Sequence, residues 1–314
     1  MVSVKNIFRK FGNVEALKGI SFQIEKGEIY GLLGPNGAGK TTTISILSTL
    51  TQPDSGEVFI NGLDLSKDSQ KIKKIIGVVP QEIALYQELS AYDNLIFWGG
   101  LYSIPSVKLK EKVNEILKLV GLFERKDDKI KTYSGGMKRR INIASALLHS
   151  PEIIFMDEPT VGIDPQSRNL IYEVIEKLNS RGMTMIYTTH YMEEAERLCK
   201  RIGIIDNGKI VAQGTLDELR AQTDSKPSIL IKVDGTINEN TVRDFTKEES
   251  AETPGTSFSF KDNTLRFFSS DVNTDLPRLI NRLSKYGLKI NEVGMHRATL
   301  ESIFLSLTGK ELRD

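Results

Sequence analysis

The stretch GPNGAGKT at Gly34–Thr41 has the residue types and the spacing of a phosphate-binding loop, G-x-x-x-x-G-K-[ST]. Glycines let backbone N–H groups come close to polyphosphate oxygens, Lys40 adds a positive charge, and the Thr41 hydroxyl can bind Mg²⁺. An apolar run of strand type, Glu28–Leu33, precedes the loop, and helical periodicity follows it in Thr42–Leu50. The sequence therefore predicts a strand, a phosphate loop and a helix. The residues expected to contact the polyphosphate are Gly34, Pro35, Asn36, Gly37, Ala38, Gly39, Lys40, Thr41 and Thr42.

A second apolar run, Ile153–Met156, ends in the acid pair Asp157 and Glu158. Acidic side chains are rarely buried without a partner or a function. At the end of a strand, Asp157 is placed to hold Mg²⁺, and Glu158 is placed to orient or deprotonate a water molecule that attacks a phosphate. The structural alternative is an acid pair solvated in a loop.

A third stretch, YSGGM at Tyr133–Met137, precedes a predicted helix through Ile141–Leu148. A hydroxyl group and glycine N–H groups at the start of a helix suit an anion, and the basic residues that follow at 138–140 add positive potential. The Ser134 side chain could equally cap this helix.

These three stretches together resemble the ATP-binding cassette (ABC) ATPases, and the resemblance covers roughly residues 1–220. It implies that the ligands are ATP and Mg²⁺ and that the activity is ATP hydrolysis. It also implies that Ser134, Gly135 and Gly136 reach the γ-phosphate of the nucleotide bound by a second copy, so that two subunits enclose two ATP molecules. The family usually has Leu where Tyr133 stands and Gln where Met137 stands, which leaves the serine and the glycines intact.

Four single residues match further positions of the family. Gln81, in VVPQE, matches a glutamine that senses Mg²⁺ and water, and His190, in YTTH, matches a histidine that contacts the γ-phosphate. Asp164, in VGIDP, matches the loop that crosses the dimer interface, and Phe11 stands where the family stacks an aromatic ring on adenine. Each has a structural alternative, respectively a surface amide, a structural histidine, an N-cap before Pro165 and a core aromatic ring.

Composition indicates a protein with a substantial core and two domains: the chain has 314 residues, of which 39% are hydrophobic and 26% charged. With 42 basic and 41 acidic residues the formal net charge is +1, so we expect no nucleic-acid partner. No apolar run approaches the roughly 18 residues that a bilayer span needs. The N-terminus lacks a secretory signal, and the single cysteine gives neither a disulfide framework nor a zinc pattern. We therefore expect a cytoplasmic protein.

The predicted fold class is α/β. It comprises an ABC nucleotide-binding domain at residues 1–220 with a helical subdomain at 81–150, a polar linker at 221–228, and a C-terminal accessory or regulatory domain at 229–314. The last domain has a β-α-β-β-α-β order that suggests a small α+β, ferredoxin-like fold. Its predicted elements are strand Ile229–Val233, helix Thr241–Lys247, strands Ser257–Phe260 and Thr264–Phe268, helix Leu276–Tyr286 and strand Leu288–Val293.

Longer stretches, GLLGPNGAGKTTT, YSGGMKRR, THYMEEAERLC and the tail LESIFLSLTGKELRD, are similar to the ATPase subunits of prokaryotic drug and polyketide exporters of the daunorubicin-resistance type. The resemblance implies a homodimer or a paired ATPase domain, peripheral on the inner face of the cell membrane, that drives an integral membrane permease exporting a drug-like, lipid or other small solute. The helical arm after Gln81 would transmit the motion, with Tyr86–Trp98 as the coupling surface.

The alternative is a soluble ABC ATPase acting in translation or DNA repair. Relatives in translation carry two cassettes in one chain, whereas this sequence has one phosphate loop. Repair proteins insert a long coiled coil, and the interval between Lys40 and Asp157 contains no heptad tract. Both comparisons favour the transporter.

Overall fold

The computed structural model describes residues 1–222, 228–234, 243, 245, 247, 248, 258–261, 263–269, 271–296 and 299–308. Contacts divide the chain into two compact units, Met1–Leu216 and Asp217–Gly309, with the division inside helix Leu216–Ala221. Within the described part of the chain, no helix combines the length and the apolar character that crossing a membrane requires.

The first unit contains two sheets. The smaller sheet is antiparallel in the order β2-β1-β4-β5, and the larger has six strands in the order β10-β9-β3-β8-β7-β6. The strands of the smaller sheet are β1 (Val2–Phe11), β2 (Val14–Ile24), β4 (Ser55–Ile60) and β5 (Leu63–Asp64). Those of the larger sheet are β3 (Ile29–Leu33), β6 (Ile76–Val79), β7 (Ile153–Asp157), β8 (Thr184–Thr189), β9 (Arg201–Asp206) and β10 (Lys209–Gly214).

Five strands of the larger sheet are parallel, from β9 through β3, β8 and β7 to β6. Every residue of β3, β7 and β8 is buried, as expected for a parallel sheet covered on both faces. Because the carboxyl ends of parallel strands meet at one edge, β3 delivers the phosphate loop to the edge where β6, β7 and β8 deliver Gln81, Glu158 and His190. The predicted site residues of these four segments therefore share one edge. The β9–β10 hairpin turns at Asn207-Gly208, a residue pair that favours tight hairpin turns.

Helices surround this sheet and form the helical region between β6 and β7. The helices of the first unit are α1 (Lys40–Leu47), α2 (Ser69–Ile75), α3 (Ala91–Gly100), α4 (Ser106–Leu119), α5 (Gly135–Ser145), α6 (Pro165–Ser180) and α7 (Met192–Leu198), and α8 (Leu216–Ala221) spans the division between the units. On α4 an apolar stripe is buried, with Val113 and Leu117 fully covered.

Two predicted helix ends in the first unit are wrong. The helix after the phosphate loop was expected to reach Leu50, but α1 ends at Leu47 because Thr49 adopts the left-handed conformation (φ 63°), and Leu50 is 75% exposed. The helix expected to run to Leu148 ends at Ser145.

The second unit has a four-stranded antiparallel sheet in the order β12-β13-β11-β14. Its elements are β11 (Ser228–Asp234), β12 (Phe258–Lys261), β13 (Thr264–Phe268), α9 (Val272–Lys285), β14 (Lys289–His296) and α10 (Leu300–Thr308). Ile229, Ile231, Leu265, Phe267 and Leu279 are among the residues of its core. Of the predicted helix Thr241–Lys247 only residues 243, 245 and 247 are described, and most of the predicted linker lies outside the described residues, so the ferredoxin-like fold stays a prediction.

Candidate active site

The phosphate loop, residues 34–39, joins β3 to α1 and packs against two neighbouring segments. Gly39 has φ 112°, and a Cβ atom there would lie 2.7 Å from Leu17 Cδ2 and 2.9 Å from the Ala16 carbonyl oxygen. At Gly34 a Cβ atom would lie only 2.2 Å from the Ile205 carbonyl oxygen. Glycine is therefore required at both positions, and the loop is held in the narrow space between β2 and β9.

A cavity of about 740 Å³ opens beside the loop. Its walls contain three lysines, Lys10, Lys18 and Lys40, together with Gln81 and Glu158. The loop and α1 contribute Asn36, Gly37, Gly39, Lys40, Thr41 and Thr42. Backbone N–H groups, lysine ammonium groups and a helix N-terminus form a cradle suited to a triphosphate. Lys10 and Lys18 were not predicted, since isolated lysines on an antiparallel hairpin carry no local signal.

Lys40 is almost fully buried, with 4% exposure, and its ammonium group has three acceptors. Lys40 Nζ donates to the Gly34 carbonyl oxygen at 2.7 Å and to the Pro35 carbonyl oxygen at 3.0 Å, and lies 2.9 Å from Glu158 Oε1. The lysine of the loop and the glutamate after β7 are thus joined directly. In the same loop, Ala38 is buried and its N–H donates to the Pro35 carbonyl oxygen at 3.2 Å.

The Glu158 carboxylate lies between Lys40 and His190. Its Oε2 atom is 3.2 Å from His190 Nδ1, and the side chain is 5% exposed. Glu158 has φ 44°, a conformation that non-glycine residues adopt at some cost in free energy and that clusters at active sites. Its backbone N–H donates to Thr188 Oγ1 at 2.9 Å, which holds this conformation. The structure thus brings Lys40, Glu158 and His190 together.

Asp157 is buried one residue earlier, and Thr188 Oγ1 donates to its Oδ1 atom at 2.7 Å. A single hydroxyl group therefore connects the acid pair to β8. The sequence did not reveal Thr188, because its contact depends on the pairing of Asp157 with Thr188 across β7 and β8.

Gln81 follows β6 and lines the cavity. Buried Arg139, on α5, donates to the Pro80 carbonyl oxygen at 2.7 Å and also to the Gln81 carbonyl oxygen. The helix that begins at the serine-glycine stretch is thereby fastened to the Gln81 segment. The sequence predicts for Arg139 only that it adds positive potential beside the serine-glycine stretch, and this contact was not predicted.

Ser134, Gly135 and Gly136 begin α5 and do not belong to the cavity walls of their own chain. Ser134 is the N-cap and accepts from the Met137 N–H at 3.2 Å, so the capping alternative is realised. Gly136 packs against α6, where an added Cβ atom would lie 2.3 Å from Ser167 Cβ.

Asp164 takes the capping role that is its structural alternative, whereas Phe11 is not the core aromatic ring that its alternative predicts. Asp164 caps α6 by accepting from the Ser167 N–H at 2.9 Å. The Phe11 ring is 47% exposed at the end of β1, with the Arg9 guanidinium 4.5 Å from its centroid. The neighbouring cavity wall is formed by Asn13, Val14 and Ala16.

The donor set fits a magnesium nucleotide. Thr41 and Gln81 line the cavity and Asp157 is adjacent to Glu158, so a hydroxyl, an amide and a carboxylate oxygen are available, the hard ligands that Mg²⁺ prefers. The described residues contain no cluster of three or more His, Cys, Asp or Glu side chains that could hold a metal ion.

Comparison with known proteins agrees with this geometry. The family described as ABC transporter matches residues 17–161. The linearmycin resistance ATP-binding protein LnrL of Bacillus subtilis (strain 168) is 46% identical over 323 residues, covering 100% of both chains. The daunorubicin/doxorubicin resistance ATP-binding protein DrrA of Streptomyces peucetius is 32% identical, covering 100% of this chain and 94% of that one.

Among solved structures, the chain is similar to the dimeric post-hydrolysis state of the ATP-binding cassette MJ0796 bound to ADP and Pi. The TM-score is 0.62 at 30% identity, and the match covers 69% of this chain and 99% of the other. The predicted family is confirmed by similarity along the whole chain and by a fold that places a phosphate loop and an acid pair at one sheet edge. The chain belongs to the ABC transporter family, as an ATP-binding protein that hydrolyses ATP.

Proposed function

We propose that this chain powers the export of an amphipathic small solute through a separate membrane-spanning protein, and that it hydrolyses ATP in the cavity beside the phosphate loop. The main support for this site of hydrolysis is the buried connection from Lys40 through Glu158 to His190. The names of its full-length relatives, which refer to resistance to linearmycin and to daunorubicin, support the export of drug-like molecules. They do not favour a role in translation or DNA repair.

In this proposal residues Gly34–Thr42 bind the phosphates. Phosphate oxygens compete with the Glu158 carboxylate for Lys40, so nucleotide binding weakens the ion pair and frees Glu158. Glu158 then accepts a proton from the attacking water, and His190 orients the γ-phosphate beside it. Thr41, Asp157 and Gln81 hold Mg²⁺, which when bound neutralises charge on the phosphates.

A second copy supplies the remaining contacts. Ser134, Gly135 and Gly136 lie outside the cavity of their own chain, so we propose that they meet the γ-phosphate of the partner's nucleotide. Asp164 caps α6 close to the same interface, and Phe11 lies beside the adenine. The dimeric state of the solved relative bound to ADP and Pi supports a closed pair of this kind.

The membrane partner docks, in this proposal, on the helical region after Gln81. Tyr86, Leu89 and Phe97 are 49%, 38% and 42% exposed, and the rings of Tyr86 and Phe97 meet edge to face at 4.9 Å. Large apolar side chains clustered on a surface mark an interaction site. Leu95, which belongs to the same predicted surface, is fully buried and serves the core instead. This docking would hold the protein on the cytoplasmic face of the membrane.

A resistance assay tests the proposal. In a strain lacking this chain but retaining the companion membrane protein, the wild-type gene should restore growth in linearmycin or daunorubicin, and Glu158→Gln should not. The chain should also co-purify with an integral membrane protein from detergent extracts. Recovery with ribosomes or DNA alone, together with unchanged drug sensitivity, would contradict the export role while leaving the ATPase site untouched.

A further inference from the structure

The carboxylate of Glu194, on α7, is 1% exposed and accepts four hydroxyl hydrogen bonds. Its Oε1 atom accepts from Thr160 Oγ1 at 2.5 Å and from the Tyr172 hydroxyl at 2.9 Å. Its Oε2 atom accepts from the Tyr187 hydroxyl at 2.9 Å and from Thr189 Oγ1 at 2.8 Å. One buried carboxylate thus ties together four separate positions of the first unit.

The two oxygens connect to different parts of the active site. Thr160, on Oε1, lies two residues after Glu158, and Thr189, on Oε2, lies immediately before His190. The distance between the two oxygens of a carboxylate is fixed by covalent geometry. Glu194 is therefore a rigid spacer between the segment that carries Glu158 and the segment that carries His190.

The groups around Glu194 satisfy the hydrogen-bonding capacity of its carboxylate and compensate its charge. A buried charge is costly unless it is fully hydrogen-bonded, and here four O–H donors and the Arg168 Nε atom, 3.8 Å from Oε1, compensate it. Burial, and then the negative charge of Glu194, raise the pKa of Tyr187 far above its usual range, so that hydroxyl stays protonated and donates. Such a network, fully satisfied, favours one arrangement of the segments that it joins.

We propose that Glu194 is a positioning residue that fixes Glu158 relative to His190 for ATP hydrolysis. The proposal rests on the roles proposed above for these two side chains. Neither oxygen of Glu194 contacts Glu158 or His190 directly; the effect passes through Thr160 and Thr189.

The first test is Glu194→Gln, which keeps one acceptor oxygen and turns an NH₂ group toward two hydroxyl donors. We expect kcat for ATP to fall about 10- to 100-fold, as for a displacement of reacting groups by up to 1 Å. The Kd for ATP should stay within about two-fold, because the phosphate loop is untouched. Thr189→Val, which retains the carboxylate and breaks the His190 connection alone, should lower kcat in the same direction if Glu194→Gln does not fold.

Two matched controls separate positioning from general damage. Glu193→Gln changes the exposed neighbour on α7, and Glu28→Gln changes another buried glutamate, which lies 3.6 Å from Arg201 and away from the cavity walls. Both should leave kcat unchanged, although Glu28→Gln should lower the midpoint of thermal unfolding. Equal losses of kcat and ATP affinity in Glu194→Gln would show that Glu194 only supports the fold, and would contradict the positioning role.

A double-mutant cycle with His190→Ala distinguishes a positioning role from a purely structural one by comparing kcat of the single and double variants. If Glu194 acts by placing His190, the double variant should be no more than about three-fold slower than the slower single variant, since coupled residues are not additive. Multiplicative losses would overturn the proposal. Normal turnover by Glu158→Gln would instead overturn the proposed role of Glu158, whereas an inactive Glu158→Gln with a fully active Glu194→Gln would reject Glu194 alone.

Discussion

Lys40 and Glu158 form an ion pair in which both side chains are at most 5% exposed. A buried pair of this kind contributes little net stability, but breaking it leaves an uncompensated charge. In the function proposed above, this pair links the binding of phosphates at Lys40 to the release of the Glu158 carboxylate for chemistry.

Replacing Lys40 by Ala should affect binding and stability together. Loss of its charge-assisted hydrogen bonds to phosphate should weaken ATP binding about 10- to 100-fold by fluorescence titration. The nucleotide-free protein should lose about 3 kcal/mol of unfolding free energy in urea, because Glu158 stays buried with His190 alone. Lys10→Ala, which removes an exposed lysine of the same cavity, should change stability by less than about 0.5 kcal/mol. An unchanged ATP affinity in Lys40→Ala would contradict the assigned loop.

Ser134 allows its capping role to be separated from a nucleotide contact. Aspartate and asparagine both cap helices well, so Ser134→Asp and Ser134→Asn should keep α5 intact. The negative charge of Ser134→Asp would face the triphosphate of the other copy and should abolish steady-state hydrolysis, while Ser134→Asn should retain part of it. ATP binding to the single chain should survive in both. Wild-type turnover by Ser134→Asp would mean that this serine only caps its helix.

At the scale of helices and strands, the sheet explains which parts of the site could be predicted. Glycine spacing, apolar runs and strand-end acids are local patterns, and parallel pairing brings Gln81, Glu158 and His190 to one edge with the phosphate loop. The contacts of Thr188 and Glu194 depend instead on strand register and on packing between elements distant in sequence. No local pattern encodes them.

Helix ends were less predictable than helix faces. The periodicity that includes Leu50 continues past the end of α1, yet the left-handed conformation of Thr49 stops the helix and leaves Leu50 exposed. Serine and glycine at the start of α5 were predicted to favour either a cap or an anion. The cap at Ser134 is present. The nucleotide contact proposed for Ser134 requires a second copy of the chain.

Packing of α5 against α6 gives a test at this scale. Gly136→Ala would place a Cβ atom 2.3 Å from Ser167 Cβ, whereas Gly135→Ala meets only Ile163 Cδ1 at 3.5 Å, an ordinary contact. Gly136→Ala should therefore cost about 1–3 kcal/mol in urea unfolding, and Gly135→Ala much less. Adding Ser167→Gly should recover part of the loss. Equal stabilities of the two alanine variants would show that the helices do not pack as described.

The whole molecule combines a cassette with a second unit. The match to the solved cassette covers 69% of the chain, whereas the match to LnrL covers all of it. The sequence of the second unit is thus matched in LnrL together with that of the cassette.

We expect two copies of the whole molecule to close around ATP, and the mass of the Glu158→Gln variant shows whether they do. Without the carboxylate base, ATP should bind and persist, so that light scattering after size exclusion should give a mass near twice 35.1 kDa with MgATP and a monomer without it. Adding Ser134→Asp should return the mass to that of the monomer while ATP binding is retained. A Glu158→Gln protein that hydrolyses ATP at the wild-type rate, or that stays monomeric when saturated with ATP, would contradict closure of two copies around ATP.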